Sequence, residues 1–203
     1  MTSKFDYIQK NLWKGPGKLK ENSSISTGYS QLDQYLPSGG WPIGALTEIL
    51  LANTEQPPIW LIAPALAKLE YEKRWQAWIA PTGIPYAPAI ANTGIDISKT
   101  LVIYPTTRKD LLWATEQTLE SGACSAVLFW PHEILTTTSR RLQIAAKNGH
   151  SLGLCFCSSK NAKHSTMAAL RILFNPDCQG GEITILKGHG IKPTRKMKLV
   201  RKY

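Results

Sequence analysis

At 203 residues, with 43% hydrophobic and 19% charged side chains, the chain is long enough to bury one sizeable core and too apolar for wholesale disorder. No apolar run approaches the roughly 18 residues of a membrane span, and Met1 to Glu21 contains no apolar stretch of the kind an export signal requires, so we expect a cytoplasmic protein whose four cysteines are reduced thiols. The net charge of +10 is unevenly placed: residues 1–24 carry +3, residues 25–186 are neutral, and residues 187–203 hold seven Lys or Arg and no acid, a pattern suited to a polyanionic partner.

Lys14-Gly-Pro-Gly-Lys18 and Glu21-Asn-Ser-Ser24 read as an irregular basic leader, which sets a boundary at residue 24. Thr47 to Leu51 is a short apolar run after turn residues and predicts a buried strand. Asn53 and Thr54 are cap candidates for a helix marked by Ile59, Ile62, Leu66 and Leu69, although Pro64 conflicts with an unbroken one. Trp75–Ala80 and Thr100–Tyr104 are the next strands. Lys109–Glu120 predicts a helix, with Leu112, Glu116 and Leu119 on one side and Gly122 beyond its end. Ala126–Trp130, apolar on both faces, predicts a central strand. Thr138–Asn148 predicts a helix stopped by Gly149, and Leu152–Cys157 a fifth strand. The alternation means a mostly parallel sheet with helices on its faces. Leu170–Phe174, Glu182–Lys187 and Lys196–Arg201 follow with only turns between them and should extend one edge antiparallel.

The most specific stretch runs from Thr27 to Ile49. Thr27, Gly28, Leu32, Asp33, Leu36, Gly39, Gly40, Pro42, Gly44, Glu48 and Ile49 match the pattern that leads into the core of RecA-type recombinases, and the stretch resembles it. Physically, Ser26 or Thr27 can cap a short helix through Tyr35, Gly39 and Gly40 permit a turn with positive φ, and Pro42 and Gly44 aim the chain into the first core strand. In an ATPase of that type the strand leads into a glycine-rich phosphate loop with a lysine. Here Ala52-Asn-Thr-Glu-Gln-Pro-Pro-Ile-Trp60 has neither Gly nor Lys, two of its residues lack an N–H, and the fourth strand ends in Trp130-Pro131 without an acid for magnesium. The expected fold is therefore a RecA-like α/β core with an antiparallel C-terminal extension and no ATP hydrolysis.

Further stretches narrow the likeness. Trp78-Ile-Ala-Pro81, Pro85–Ala89, Gly94-Ile-Asp96, Leu112–Gln117, Ser121–Leu128, Trp130-Pro131, Arg140–Ala146, Ala168–Arg171 and Leu186–Gly190 resemble the ImuA family of RecA-like accessory proteins. That resemblance implies a noncatalytic role in translesion synthesis during the SOS response, with RecA, an ImuB-like adaptor and an error-prone polymerase as partners. Arg74 to Pro81 and Leu119 to Trp130 also resemble the SulA cell division inhibitors, which implies the alternative of binding the tubulin-like protein FtsZ and blocking septation. The full Thr27–Ile49 lead-in and the antiparallel C-terminal strands favour the ImuA expectation.

Other side chains carry less. Cys155 and Cys157 share a strand face, but no structural-zinc spacing accompanies them, and His132, His164 and His189 sit among turn residues with no nucleophile at a useful spacing; no cofactor, metal or catalytic residue is expected. Most of the seven Trp should be core, whereas Trp13 lies among lysines and could stack on a base. The sequence thus divides into a basic leader over 1–24, a core over 25–190 and a basic strand or tail over 191–203. Candidate nucleic-acid or partner contacts are Lys187, Lys192, Arg195, Lys196, Lys198, Arg201 and Lys202, with Met197 and Leu199 anchoring the last strand and weak, sequence-independent DNA binding as the expected activity.

Overall fold

A computed structural model describes residues 23–69, 73–188 and 195–201; Trp13, Lys192, Lys202 and most of the basic leader lie outside them. In chain order the elements are β1 (Ser24–Ile25), α1 (Ser30–Tyr35), β2 (Trp41–Pro42), β3 (Ala45–Leu51), α2 (Ile59–Leu69), β4 (Trp75–Ile79), α3 (Ala87–Ala91), β5 (Thr100–Ile103), α4 (Arg108–Glu120), β6 (Cys124–Phe129), α5 (Thr136–Gly149), β7 (Leu152–Ser158), β8 (Leu170–Asp177), β9 (Gly180–Lys187) and β10 (Arg195–Val200). The eight longer strands form one sheet in the order β10-β9-β8-β3-β7-β6-β4-β5. Pairing is parallel from β5 through to β8, and β8-β9-β10 are antiparallel. The mixed α/β, mostly parallel sheet with an antiparallel extension is the architecture expected from the alternation of elements.

β3 lies between β7 and β8 and all seven of its residues are buried, which is why its sequence shows no polar alternation. Ile49 and Leu51 enter a core with Leu61, Ile62, Leu66 and Leu69 of α2 and with Ile172, Phe174, Ile183 and Leu199 of the extension. Leu46 and Leu50 face the other side, where α4 and α5 supply Leu111, Leu119, Leu142 and Ala145. The single acid in β3, Glu48, meets the Arg171 Nε at 2.7 Å inside the protein. Arg171 also donates to the carbonyls of Ala162 and Asn161 at 3.3 and 3.0 Å, so the buried guanidinium is satisfied beyond the ion pair, while the buried Glu48 Oε1 has no hydrogen-bond partner among the described residues.

Several details depart from the sequence reading. The buried stripe of α4 is Leu111, Thr115 and Leu119, which turns Trp113 outward; Trp113 and Trp75 are exposed, while Trp41, Trp78 and Trp130 are core. A capping pair starts α4: the Thr107 hydroxyl oxygen accepts the Asp110 N–H at 3.1 Å, and the hydroxyl donates back to the Asp110 carboxylate at 2.7 Å. α5 is ended by His150 in the left-handed region (φ 50°) and not by Gly149, which is still helical. Gly149 is required for another reason: a Cβ there would overlap the Leu119 carbonyl at the end of α4. Neither Ser26 nor Thr27 caps α1; Tyr29 occupies the N-cap position with no side-chain cap bond. Pro64 sits inside an unbroken α2.

Candidate functional site

The Thr27–Ile49 stretch is a structural clasp. The Asp33 carboxylate reaches back from α1 to accept the Ser26 hydroxyl and the Thr27 N–H, both at 2.7 Å. Burial acts to raise the Asp33 pKa, but these hydrogen bonds from Ser26 and Thr27 outweigh it and hold the carboxyl below its ordinary value. Thr27 is fully buried and its hydroxyl oxygen accepts the Tyr29 N–H at 3.1 Å; Leu32 is fully buried in the core. Gly28 has φ +85° and lies against Pro64 so closely that a Cβ would strike the proline ring. Gly39 takes φ +70° with open space around it, whereas Gly40 is needed because a Cβ would collide with the Ile25 carbonyl. Pro42 pairs with Ser24 between β2 and β1, and the Gly44 N–H (φ +67°) donates to Ser151 O at 3.1 Å as the chain enters β3. Glu48 is spent on Arg171. These residues build the lead-in and the first strand.

Beyond β3, the turn toward α2 closes on itself: the Asn53 carboxamide oxygen accepts the Glu55 N–H at 2.9 Å. At the end of β6, Trp130 stacks on Phe156 with ring centroids 4.9 Å apart. Glu133, the nearest acid further along, lies 3.9 Å from His164 Nδ1 at the surface. Among the described residues, no group of three His, Cys, Asp or Glu side chains lies close enough to hold a metal, and no helix is long and apolar enough to cross a membrane.

The chemistry on offer is at the two ends of the sheet. β5 is the terminal strand on one side, and its consecutive Leu101 and Val102, pointing to opposite faces, are each about two-fifths exposed (43% and 40%). Ile97 precedes them, Tyr104 follows, and Ile84 and Tyr86 project from the preceding loop at 92% and 71% exposure. The Tyr104 hydroxyl donates to Gly83 O at 3.5 Å, which joins that loop to the strand end. An edge strand with this much apolar surface and no charged guard along Thr100–Ile103 is a place for another chain to dock. Sequence reasoning missed it, because Leu101-Val102-Ile103 reads the same at an edge as in a sheet centre; Pro85-Tyr86 was visible only as part of a resemblance, and Trp113, in an apolar segment, read as core but is exposed.

β10 terminates the other side. Met197 and Leu199 are buried, and Lys196, Lys198 and Val200 are exposed, as the alternation predicts. Two acids stand beside the lysines: Glu182 pairs with Lys196 at 3.1 Å and Asp177 with Lys198 at 3.5 Å. Lys187 donates to the Thr166 carbonyl at 2.8 Å. Hydrogen bonds from Gln179 and Gly180 N–H groups, opposed by slight desolvation and aided by Lys198, hold the Asp177 carboxyl below its ordinary range. Arg201 continues the strand, its N–H donating to Gln179 O at 2.8 Å.

The family model described as "Cell division inhibitor SulA" matches residues 44–153. Cell division inhibitor SulA of Pectobacterium atrosepticum is 30% identical over 135 residues, 66% of this chain and 77% of that protein. The protein of the same name from Pectobacterium carotovorum is 29% identical over the same shares, and that of Edwardsiella piscicida is 32% identical over 94 residues, 46% of this chain and 56% of that protein. The crystal structure of SulA from Pseudomonas aeruginosa aligns with a TM-score of 0.45 at 20% identity, over 56% of this chain and 98% of that one. The family model and the relatives' identity overturn the expectation of an ImuA-type accessory of translesion synthesis with RecA, ImuB-like and polymerase partners. The family model takes in neither the part of the lead-in before Gly44 nor the strands after Gly153, the features that favoured that expectation.

Proposed function

The chain belongs to the SulA family of cell division inhibitors, and on that premise we propose that it is a noncatalytic, cytoplasmic inhibitor acting in the SOS response, which blocks septation by binding the tubulin-like protein FtsZ. The observation that carries this is the family match over residues 44–153, which spans β3 through the start of β7 and includes the whole exposed β5 edge. Inhibition by stoichiometric docking needs an exposed surface and no reacting group. Leu101, Val102, Tyr104, Ile84 and Tyr86 supply apolar area on a strand with one free side, suited to covering a subunit face that FtsZ needs for polymerisation. We further read the frame as RecA-like, on the strength of the Thr27–Ile49 motif and the antiparallel extension, with a leader over 1–24, a core over 25–190 and a basic end over 191–203.

The test is sedimentation of FtsZ polymers formed with GTP, with increasing amounts of this protein. The expected result is loss of FtsZ from the pellet as the protein approaches equimolar amount, with Leu101→Lys and Val102→Lys together abolishing the effect while the melting temperature is kept. Full pelleting of FtsZ at an excess of the unmodified protein overturns the proposal; inhibition retained by the double variant moves the docking surface away from β5.

A further inference from the structure

We propose that the β10 edge is a second binding surface, one that grips the phosphate backbone of duplex DNA without reading its sequence. The surface is at the opposite end of the sheet from β5, and β8, β9 and β10 all follow residue 153, where the family-model match ends. Burial of Met197 and Leu199 fixes the register of β10, so Lys196 and Lys198 must face outward together on the opposite side. Alternate residues of a strand stand roughly 6.6–6.8 Å apart, so the two ammonium groups are far enough apart to meet separate phosphates of one DNA strand. Arg201 extends the same end by one residue beyond the strand, and Lys187, at the end of β9, spends its hydrogen bond on a neutral carbonyl.

The acids do not cancel this strip. Glu182 and Asp177 are the two carboxylates paired with β10 lysines, against the four exposed cations Lys187, Lys196, Lys198 and Arg201 of the described residues. Both pairs are at the surface, where such contacts contribute little, and phosphate can replace the carboxylate at each ammonium. An edge that presents Lys187, Lys196, Lys198 and Arg201 suits a rod of uniform negative charge better than a protein patch, whose acids are mixed with bases and apolar groups. The lysines also keep this edge from pairing with another strand, which leaves backbone electrostatics as its mode of contact.

The test is fluorescence anisotropy of a labelled 20-base-pair duplex titrated with the full chain, using two unrelated sequences. The expected Kd is roughly 10⁻⁴–10⁻⁶ M near physiological salt and equal for both sequences. If about three phosphates are engaged, affinity falls about 40-fold between 50 and 200 mM salt. The triple variant Lys196→Glu, Lys198→Glu, Arg201→Glu should lose binding while still preventing FtsZ sedimentation, which separates this surface from the β5 docking surface. Asp177→Asn with Glu182→Gln should bind the duplex more tightly than the unmodified chain, a gain that a misfolded protein cannot give. No binding at 50 mM salt, equal binding by the triple variant, or capture of polyglutamate with no capture of duplex would overturn the proposal, the last in favour of an acidic protein partner.

Discussion

Pro64 has no N–H to offer the Trp60 carbonyl one turn earlier in α2, and the Tyr29 phenol donates to that carbonyl instead, at 3.3 Å. The same tyrosine ring meets Trp60 edge-on, with centroids 5.9 Å apart, and Trp60 meets Phe174 at 5.8 Å. The helix therefore tolerates its proline because a side chain from the lead-in repairs the break, and Gly28 leaves room for the proline ring. Removing the phenol should expose the defect. Tyr29→Phe is expected to lower stability by about 1 kcal/mol, and by measurably less in a Pro64→Ala background, where residue 64 regains its N–H. Urea unfolding of the two single variants and the double variant gives the coupling; equal costs in both backgrounds would show that the hydroxyl is not serving Trp60. None of this was legible in sequence, since Tyr29 and Pro64 are 35 positions apart and each reads as an ordinary residue of its own segment. Gly39 was legible, because a turn into a strand calls for a positive φ. Gly40 was legible only as a glycine, its cause being the Ile25 carbonyl across the β1–β2 pair.

β10 shows what alternation can and cannot tell at the level of an element. Its inward and outward residues followed from period two, because one face meets the core and the other meets water. Its pairing with Glu182 and Asp177 did not, because cross-strand neighbours depend on the register of β9. The strand is also part of the core: Leu199 is 2% exposed, and Val200 next to it is 57% exposed. Leu199→Ala should cost about 2–5 kcal/mol and lower the melting temperature by roughly 4–20 °C, whereas Val200→Ala should stay within about 0.5 kcal/mol. Scanning calorimetry on both variants decides it, and similar shifts would mean that the last strand is not docked as described. The β5 edge is the converse case. A strand of only four residues with no polar alternation was recognised as a strand, but its position at the sheet's end is set by strand order, which no local pattern encodes.

For the whole molecule, the sheet and its two helical layers were readable from the succession of elements, and the family was readable only as the alternative, through Arg74–Pro81 and Leu119–Trp130. The lead-in and the C-terminal strands, the longest coherent features in the sequence, pointed away from the family that the middle of the chain establishes. The thiols offer a test of the global packing. Cys124, Cys155 and Cys157 are buried and Cys178 is exposed. Burial pushes the Cys124 thiol up to about 11 from its ordinary value near 9, against a small opposing pull from Arg74, and burial followed by the neighbouring Cys157 raises Cys155 as well. A thiol whose pKa is raised in the folded state contributes stability below its unfolded pKa and loses it as pH rises through the folded value. The melting temperature should therefore be flat near neutrality and fall between about pH 9 and 11. A thiol reagent should label one cysteine of the native protein and four after unfolding. Rapid labelling of more than one in the native state would contradict the packing.

The strand order has a mechanical corollary. Between β5 and β10 lie seven inter-strand steps, roughly 33 Å of hydrogen-bonded sheet. Stretching such a lattice in its own plane requires breaking rows of backbone bonds together, so the molecule is a stiff ruler along that direction. Charges at its opposite rims are screened from one another, being separated by more than the ~10 Å Debye length of 0.1 M salt. A chain of this shape converts two separate weak attachments into one spatial constraint, the defined standoff between whatever the two rims hold.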